Sequence, residues 1–403
     1  MEIIVIGGGA AGMAAAIEAA RRGARVTLLE RMERVGKKLL ATGNGRCNLM
    51  NVGEPCYPGG DAFARAVLSR CGAAEQQLFW ESLGLRLREE EGGRVYPASG
   101  QASTVLETLR LAMDNLGVQV VTGAAVKAVR RQKDGFAVIS EGQTWRGDRV
   151  ILAGGGCAQP KLGSDGSLWE IMKGLGHKLV KPRPALTQIM TDTLPVKGLG
   201  GIRVKAGVAV VNNGRILHEE NGEVLFADYG VSGVCVMQCA RFACEGSVIR
   251  LNLLRGMGFE DVRQAERELL RRRAEWKDQP MEKLLTGVCV PRLAASLCME
   301  AGIRFRDRLV GSLKEHEAAA LARVLEAFDL PVRGVKGFDS AQVTAGGLDL
   351  NEFDPKTLRS TVVPGLYAAG EMLDVDGTCG GFNLMFAFGS GVVAARACVE
   401  ERE

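Results

Sequence analysis

The chain opens on an unbroken apolar run, Ile3 to Ile6, followed by GGGAAG, an alanine-rich stretch to Gly23, and a second apolar run from Arg25 to Leu29. Continuous runs without polar alternation predict strands buried on both faces, as in a parallel sheet. The small residues between them predict a helix lying close against that sheet. The pattern is strand, glycine turn, helix, strand, ending on the acidic Glu30: one complete βαβ unit.

Farther along, Val118 to Gly156 alternates in short strand-like runs with turn signals at Asp134-Gly135 and Glu141-Gly142, predicting an antiparallel crossover. It returns to a buried strand, Arg149 to Ala153, that ends in three glycines. From Pro184 to about Gly337 the character changes. Alternating runs with hairpin signals at Asn213-Gly214 and Asn221-Gly222 precede a charged helical block, FEDVRQAERELLRRRAEWKDQPMEKLL. Near the carboxyl end a short apolar strand, Leu366 to Ala369, meets Gly370-Glu371, and Gly380-Gly381 opens a helix running to about Glu400. The expected fold class is α/β: a two-dinucleotide-binding-type domain, Rossmann-like with an antiparallel crossover, carrying an inserted β-rich plus helical domain. Its first part spans 1–184 and its second 338–403. The insert spans 185–337, β-rich over 185–255 and helical over 256–330.

With 51 basic and 47 acidic side chains, the 403-residue chain carries a formal charge of only +4. That is no field for a nucleic acid. The Arg271 to Arg273 run is interleaved with Glu266, Glu268 and Glu275 and reads as a solvated helix face. The eleven cysteines form no CxxC and match no spacing with the three histidines, so neither a metal site nor a disulfide framework is expected, and reduced thiols in a cytoplasm are the simpler reading. No signal peptide fits the start, and no apolar run approaches the roughly 18 residues of a membrane span. A cytoplasmic protein with a small-molecule substrate and no membrane partner is expected.

The 53 glycines fall in tight clusters, as expected where backbone must approach a ligand. Gly7, Gly9 and Gly12 supply the GxGxxG spacing: a tight turn, a close approach to a pyrophosphate, and close packing of the helix that carries Ala11. Glu30, followed by Arg31, stands where a carboxylate accepts hydrogen bonds from an adenosine ribose, which argues against a 2′-phosphate. This unit alone does not separate NAD from FAD. In two-dinucleotide-fold flavoproteins a crossover sheet precedes a strand ending in a glycine turn, which would place the Val126 backbone beside the adenine and Gly154 at the cofactor. In the same class, the acid after the last strand, here Glu371 beside Gly370, holds a ribityl hydroxyl. The helix that follows, here with Gly381, Asn383 and Leu384 at its start, turns its positive end toward the pyrimidine edge of the flavin.

Taken with GGGAAG, GKKLLATGNGRCNLMN, VTAGGL and GLYAAGEMLDVDGTCGGFNL, the chain resembles over its whole length a family of bacterial NAD(P)/FAD-dependent oxidoreductases, the aminoacetone-oxidase-like flavoproteins, which includes a bile-acid 3-oxo-Δ4,6 reductase. The resemblance makes the polar stretch after Gly36 a loop between the ribose-binding acid and the flavin. Lys37 or Lys38 would meet pyrophosphate or flavin oxygens, Thr42, Gly43, Asn44, Gly45 and Arg46 would line the ring, and Asn48 would brace the loop. Cys47 lacks a partner cysteine and reads as packed.

The chemistry then expected is hydride transfer through flavin N5, most simply to an activated C=C of an unsaturated ketone such as a steroid or bile acid. The alternatives are oxidation of a small amine, or a non-catalytic flavin-binding redox module. No second GxGxxG provides an NAD(P)H domain, so nicotinamide would act as a transient reductant. The substrate is expected between insert and flavin domain, with Tyr229, Ser232, Thr344 and Gly346 lining it. Tyr229 and Arg46 are the catalytic candidates, Tyr229 being the one phenol considered as proton donor.

Overall fold

A computed structural model describes residues 1–400. The chain divides into two compact units, one made of Met1–Pro184 with Ala341–Glu403 and the other of Ala185–Ser340.

In the first unit, five parallel strands stand in the order Leu366–Ala368, Arg149–Leu152, Glu2–Ile6, Arg25–Leu29, Gln119–Val121. Ile6 is level with Leu29 on one side and Leu152 on the other. Because all strands run the same way, their carboxyl ends share one edge of the sheet, where open α/β sheets bind ligands. Gly7, Glu30, Gly154 and Gly370 each follow one of these strands within two residues, so topology alone gathers them. The crossover is a three-stranded antiparallel sheet, Val126–Gln132, Gly135–Ser140 and Gln143–Gly147. Lys37–Ala41 is a short helix, and Thr42–Gly45 a tight turn with Gly43 and Asn44 both left-handed.

The helix Ala10–Arg21 is clasped by the carboxyl-terminal helix Phe382–Glu400: a Cβ at Gly391 would lie 2.2 Å from the Ala11 carbonyl oxygen. The second helix corrects one expectation. Its 19 residues, mean hydropathy 1.5, are long and apolar enough to cross a membrane. In sequence Asn383, Ser390 and Arg396 break the run. In the fold two thirds of it is buried, with Phe388, Val392 and Ala395 in the core, which marks it as the central helix of a packed domain. Arg396 donates to the buried Glu18 at 2.8 Å, and Arg22 adds a second ion pair at 3.0 Å. Burial alone would raise the Glu18 carboxyl; the two guanidiniums outweigh it and hold it below its ordinary range.

The second unit is a closed antiparallel barrel of Ile189–Thr191, Gly230–Ser232, Arg215–Ala227, Arg203–Asn212, Val248–Asn252 and Phe328–Val335, with helices Val262–Glu275, Pro291–Glu300 and Glu315–Glu326 on their own apolar core. Asn213-Gly214 is the hairpin turn, both residues left-handed and Asn212 paired with Arg215. Asn221-Gly222 is not a turn: it lies inside Arg215–Ala227, opposite Gly207 and Ala206. Glycine serves packing there, since a Cβ would come within 3.2 Å of Cys235 on the helix Val234–Cys239. The arginine run also differs from a uniformly solvated face. Arg272 is buried, donating to the carbonyls of Leu284 and Thr286 and to Glu268, while Arg271 pairs with Glu268 and Glu275.

Candidate cofactor site

The carboxyl edge of the parallel sheet opens into a cavity of about 630 Å³. Among its lining residues are Gly7, Glu30, Arg31, Val126 and Gly154, five of the positions singled out above. Gly7 has φ +109°, and a Cβ would sit 2.4 Å from the Ala153 carbonyl oxygen; at Gly12 it would sit 1.8 Å from the Gly7 carbonyl oxygen. Both are glycine because the fold allows nothing else.

Gly9 is different, and it tests whether a dinucleotide fits. Its φ of −83° is open to any residue, and a Cβ there would meet nothing within 4 Å. No side chain caps the helix it begins. Nothing in the protein requires this residue to be small, and the helix's first amides are left beside open space, which suits a pyrophosphate. The ADP half of FAD fits the residues present.

Glu30 is buried, its Oε2 accepting the Gly8 amide and its Oε1 the Met32 amide, each at 2.7 Å. Burial raises its carboxyl above the ordinary value, against the pull of those amides and of the Arg31 charge. With two bonds made, the carboxylate keeps lone pairs for a ribose. Arg31 is committed elsewhere: its guanidinium pairs with Asp165, which also accepts the Ser167 amide. The segment from Gly163 to Leu175 that supplies this wall was not anticipated, although Gly163-Ser164-Asp165-Gly166 before an apolar run is a helix-start signal.

The remaining positions gather beyond this cavity, not on its lining. A Cβ at Gly370 would lie 2.8 Å from that of Ala11, and one at Gly381 2.5 Å from the Met50 carbonyl oxygen and 2.8 Å from Asn48 Oδ1, itself buried without a partner. Lys38 reaches Glu371 at 2.7 Å, whereas Lys37 pairs with the exposed Glu33 at 3.0 Å. Thr42 donates to the Leu39 carbonyl at 2.7 Å, and Gly43 and Asn44 are exposed, with Gly45 partly so. Asn383 spends its side chain on the preceding loop, accepting the Gly377 amide and donating to the Gly377 carbonyl, both at 2.8 Å. Leu384, partly buried, packs on the core. Cys47 is fully buried and its thiol is pushed up to about 12 by that burial, which leaves it inert.

Arg46 donates to Glu90 at 2.6 Å and lies over the Tyr96 ring at 4.2 Å. The Glu90 hydrogen bond raises the guanidinium further, so it has no proton to give near neutrality; a fixed positive charge is what it offers. Thr344 is wholly buried. Its Oγ1 accepts the amides of Cys157 at 2.8 Å and Ala158 at 3.0 Å. Gly346 is buried as well, a Cβ there lying 2.6 Å from the Lys181 carbonyl oxygen. Tyr229 and Ser232 belong to the second unit; Tyr229 is half-buried, with the Lys336 ammonium 4.4 Å from its ring centre.

The sequence model of the HI0933-like protein Rossmann domain matches residues 1–397. The chain belongs to this family. It is an FAD-dependent oxidoreductase. It is 39% identical over 407 residues to the 3-dehydro-bile acid delta(4,6)-reductase of Clostridium scindens, with 98% of each chain covered. It is also similar to the ribosomal RNA dihydrouridine synthases of Escherichia coli, 28% identical with 99% of this chain and 97% of that protein covered, and of Haemophilus influenzae, 27% identical with 98% and 97% covered.

Proposed function

We propose that the protein reduces a carbon–carbon double bond conjugated to a ring ketone, in a steroid or bile-acid-like 3-oxo substrate. The observation that carries this reading is the 39% identity, end to end, with a reductase whose name specifies that substrate class. The dihydrouridine synthases support the reaction type, since forming dihydrouridine also saturates a C=C conjugated to a carbonyl.

FAD, when bound, supplies the hydride from N5. The chain's own residues would hold and orient it: the Gly7–Gly12 turn and the following helix at the pyrophosphate, Glu30 at the ribose, Val126 and Gly154 at the adenine end, Glu371 at the ribityl chain, and the start of Phe382–Glu400 at the pyrimidine edge. The loop Thr42–Arg46 would cover the ring, and Arg46 would offer positive charge to the oxygen that gains electron density as the enone is reduced. Tyr229 is the phenol proposed as proton donor, a role that Tyr229→Phe tests. NADH or NADPH would serve as the reductant in a transient encounter. Eleven scattered cysteines without a CxxC pair fit a reducing cytoplasm.

The test is an anaerobic one. Holoprotein bleached with NADH, NADPH or dithionite is offered a 3-oxo-Δ4 or Δ4,6 steroid, a uridine-containing ribosomal RNA fragment, or air. Reoxidation by the enone, with a saturated product, is expected, and Tyr229→Phe should slow that step about a hundredfold without slowing bleaching. Reoxidation by RNA alone, or rapid reoxidation by air coupled to turnover of a small amine, would replace this reading.

A further inference from the structure

We propose that Lys38 is a positioning residue for the flavin half of the cofactor, acting through Glu371 and not by touching the cofactor's phosphates. The proposal rests on the reading of this chain as an FAD enzyme. Lys38 Nζ lies 2.7 Å from Glu371 Oε2, and the Thr344 amide donates to Oε1 at 2.8 Å. Each carboxylate oxygen therefore has its own donor, one from residue 38 and one from residue 344, and the plane of the group is set by the line between them.

Of the two anchors, Thr344 is immovable. It has no exposure, and its hydroxyl is itself gripped by two consecutive amides, those of Cys157 and Ala158. A Cβ at Gly156 would lie 2.4 Å from Thr344 Oγ1 and 3.0 Å from Glu371 Oε1, so hub, turn and carboxylate are in close contact. The lysine is the adjustable anchor. With it, Glu371 keeps about two lone-pair positions, held in fixed directions, for hydroxyl groups. Without it the carboxylate pivots on one oxygen, and a side chain only 20% exposed is left carrying an unpaired charge.

This role differs from the direct phosphate contact that a lysine in such a loop suggests. The network joins the end of one strand, the buried Thr344 and the short helix Lys37–Ala41, and none of Lys38, Thr344 and Glu371 lines the cavity that holds Gly7, Glu30 and Val126. Loss of Lys38 should be felt by the flavin half and ignored by the ADP half.

The experiment measures dissociation constants of FAD and of ADP on the apoprotein by titration calorimetry, for the wild type, Lys38→Met and Lys38→Arg. Expected are an FAD affinity weakened about tenfold in Lys38→Met, an ADP affinity within about twofold of wild type, and recovery of most of the FAD affinity in Lys38→Arg. Unaltered ADP binding also shows that the variant is folded. An FAD constant unaffected by Lys38→Met would overturn the proposal. So would equal weakening of FAD and ADP, which would mean that Lys38 touches phosphate or merely supports the fold. Wild-type apoprotein that took up ADP but not FAD would sink the underlying reading together with this one.

Discussion

Asn51 Nδ2 donates to the carbonyl of Gly380 at 2.8 Å, across 329 positions of sequence, and also to that of Gly92 at 3.0 Å, while its Oδ1 accepts the Gly53 amide at 2.8 Å. One buried carboxamide thus ties the end of the amino-terminal polar loop to the glycine pair that opens the last helix. Next to it Tyr57 donates from its hydroxyl to the Phe382 carbonyl at 2.8 Å. These bonds hold the amino end of Phe382–Glu400 against the loop that faces it. Asn51→Ala would take the side-chain partner from three backbone groups; those of Gly53 and Gly92 are exposed and can turn to water, whereas that of Gly380 is partly buried. We expect a loss of about 1–2 kcal/mol in urea unfolding and weaker FAD binding in the same variant. An unchanged urea midpoint would show that this contact is incidental.

The glycines of the first turn separate folding from binding. Gly12→Ala drives a methyl into the Gly7 carbonyl and should prevent accumulation of folded protein. Gly9→Ala meets no protein atom and needs no unusual φ, so apoprotein should melt at the wild-type temperature. Its methyl instead occupies the space beside the helix start, and FAD affinity should fall by at least about tenfold. If Gly9→Ala bound FAD as tightly as the wild type, the pyrophosphate would have to lie elsewhere.

His177 offers a pH test of the fold. It is buried against Phe353, with Nδ1 3.0 Å from Glu352 Oε2 and Nε2 2.9 Å from Ser360 Oγ. A carboxylate only accepts, so Nδ1 carries the proton and Nε2 accepts from Ser360, whose oxygen takes the amides of Val362 and Val363. Burial lowers the histidine below its ordinary 6.5, although Glu352 pulls the other way. The unfolded chain therefore binds this proton more readily than the folded one, and the stability the neutral ring contributes is lost as pH falls through 6.5. Melting of apoprotein should drop between about pH 7 and pH 5, and His177→Gln should flatten that slope. A slope identical in both proteins would assign it to other groups.

Where the chain could be read in advance, the reasons were local. The βαβ unit was legible because a glycine turn, a small-residue helix and an acid after a strand are each constrained within a few residues. The short strand Leu366–Ala368 was legible because Gly370-Glu371 ends it. Barrel closure was not, since it depends on Ile189–Thr191 pairing with Phe328–Val335, a match no local pattern announces. Asn221-Gly222 misled because the same dipeptide that favours a turn also relieves crowding in a strand against Cys235. The surroundings of Thr344 were hidden for a related reason. A threonine beside glycines looks like a ligand contact, and only the fold brings Gly156 and Glu371 around it.

Glu30, the acid proposed for the ribose, should give a pH dependence of opposite sign in folding and in binding. Burial raises the Glu30 carboxyl above 4.5 in the folded apoprotein. The folded chain then holds its proton to higher pH than the unfolded one, so this group's contribution to apoprotein stability is largest below 4.5 and shrinks as pH rises through the raised value. Ligand binding runs the other way. A ribose hydroxyl donates more strongly to the ionised carboxylate than to the neutral acid, so uptake of ADP favours loss of the proton and affinity should rise with pH across the same window. Titrations of the wild type from pH 4.5 upward should show proton release and tightening that levels off once Glu30 is ionised. Glu30→Gln should bind ADP more weakly and show neither the tightening nor the release. Parallel pH profiles in the two proteins would mean that the adenosine hydroxyls do not rest on this acid.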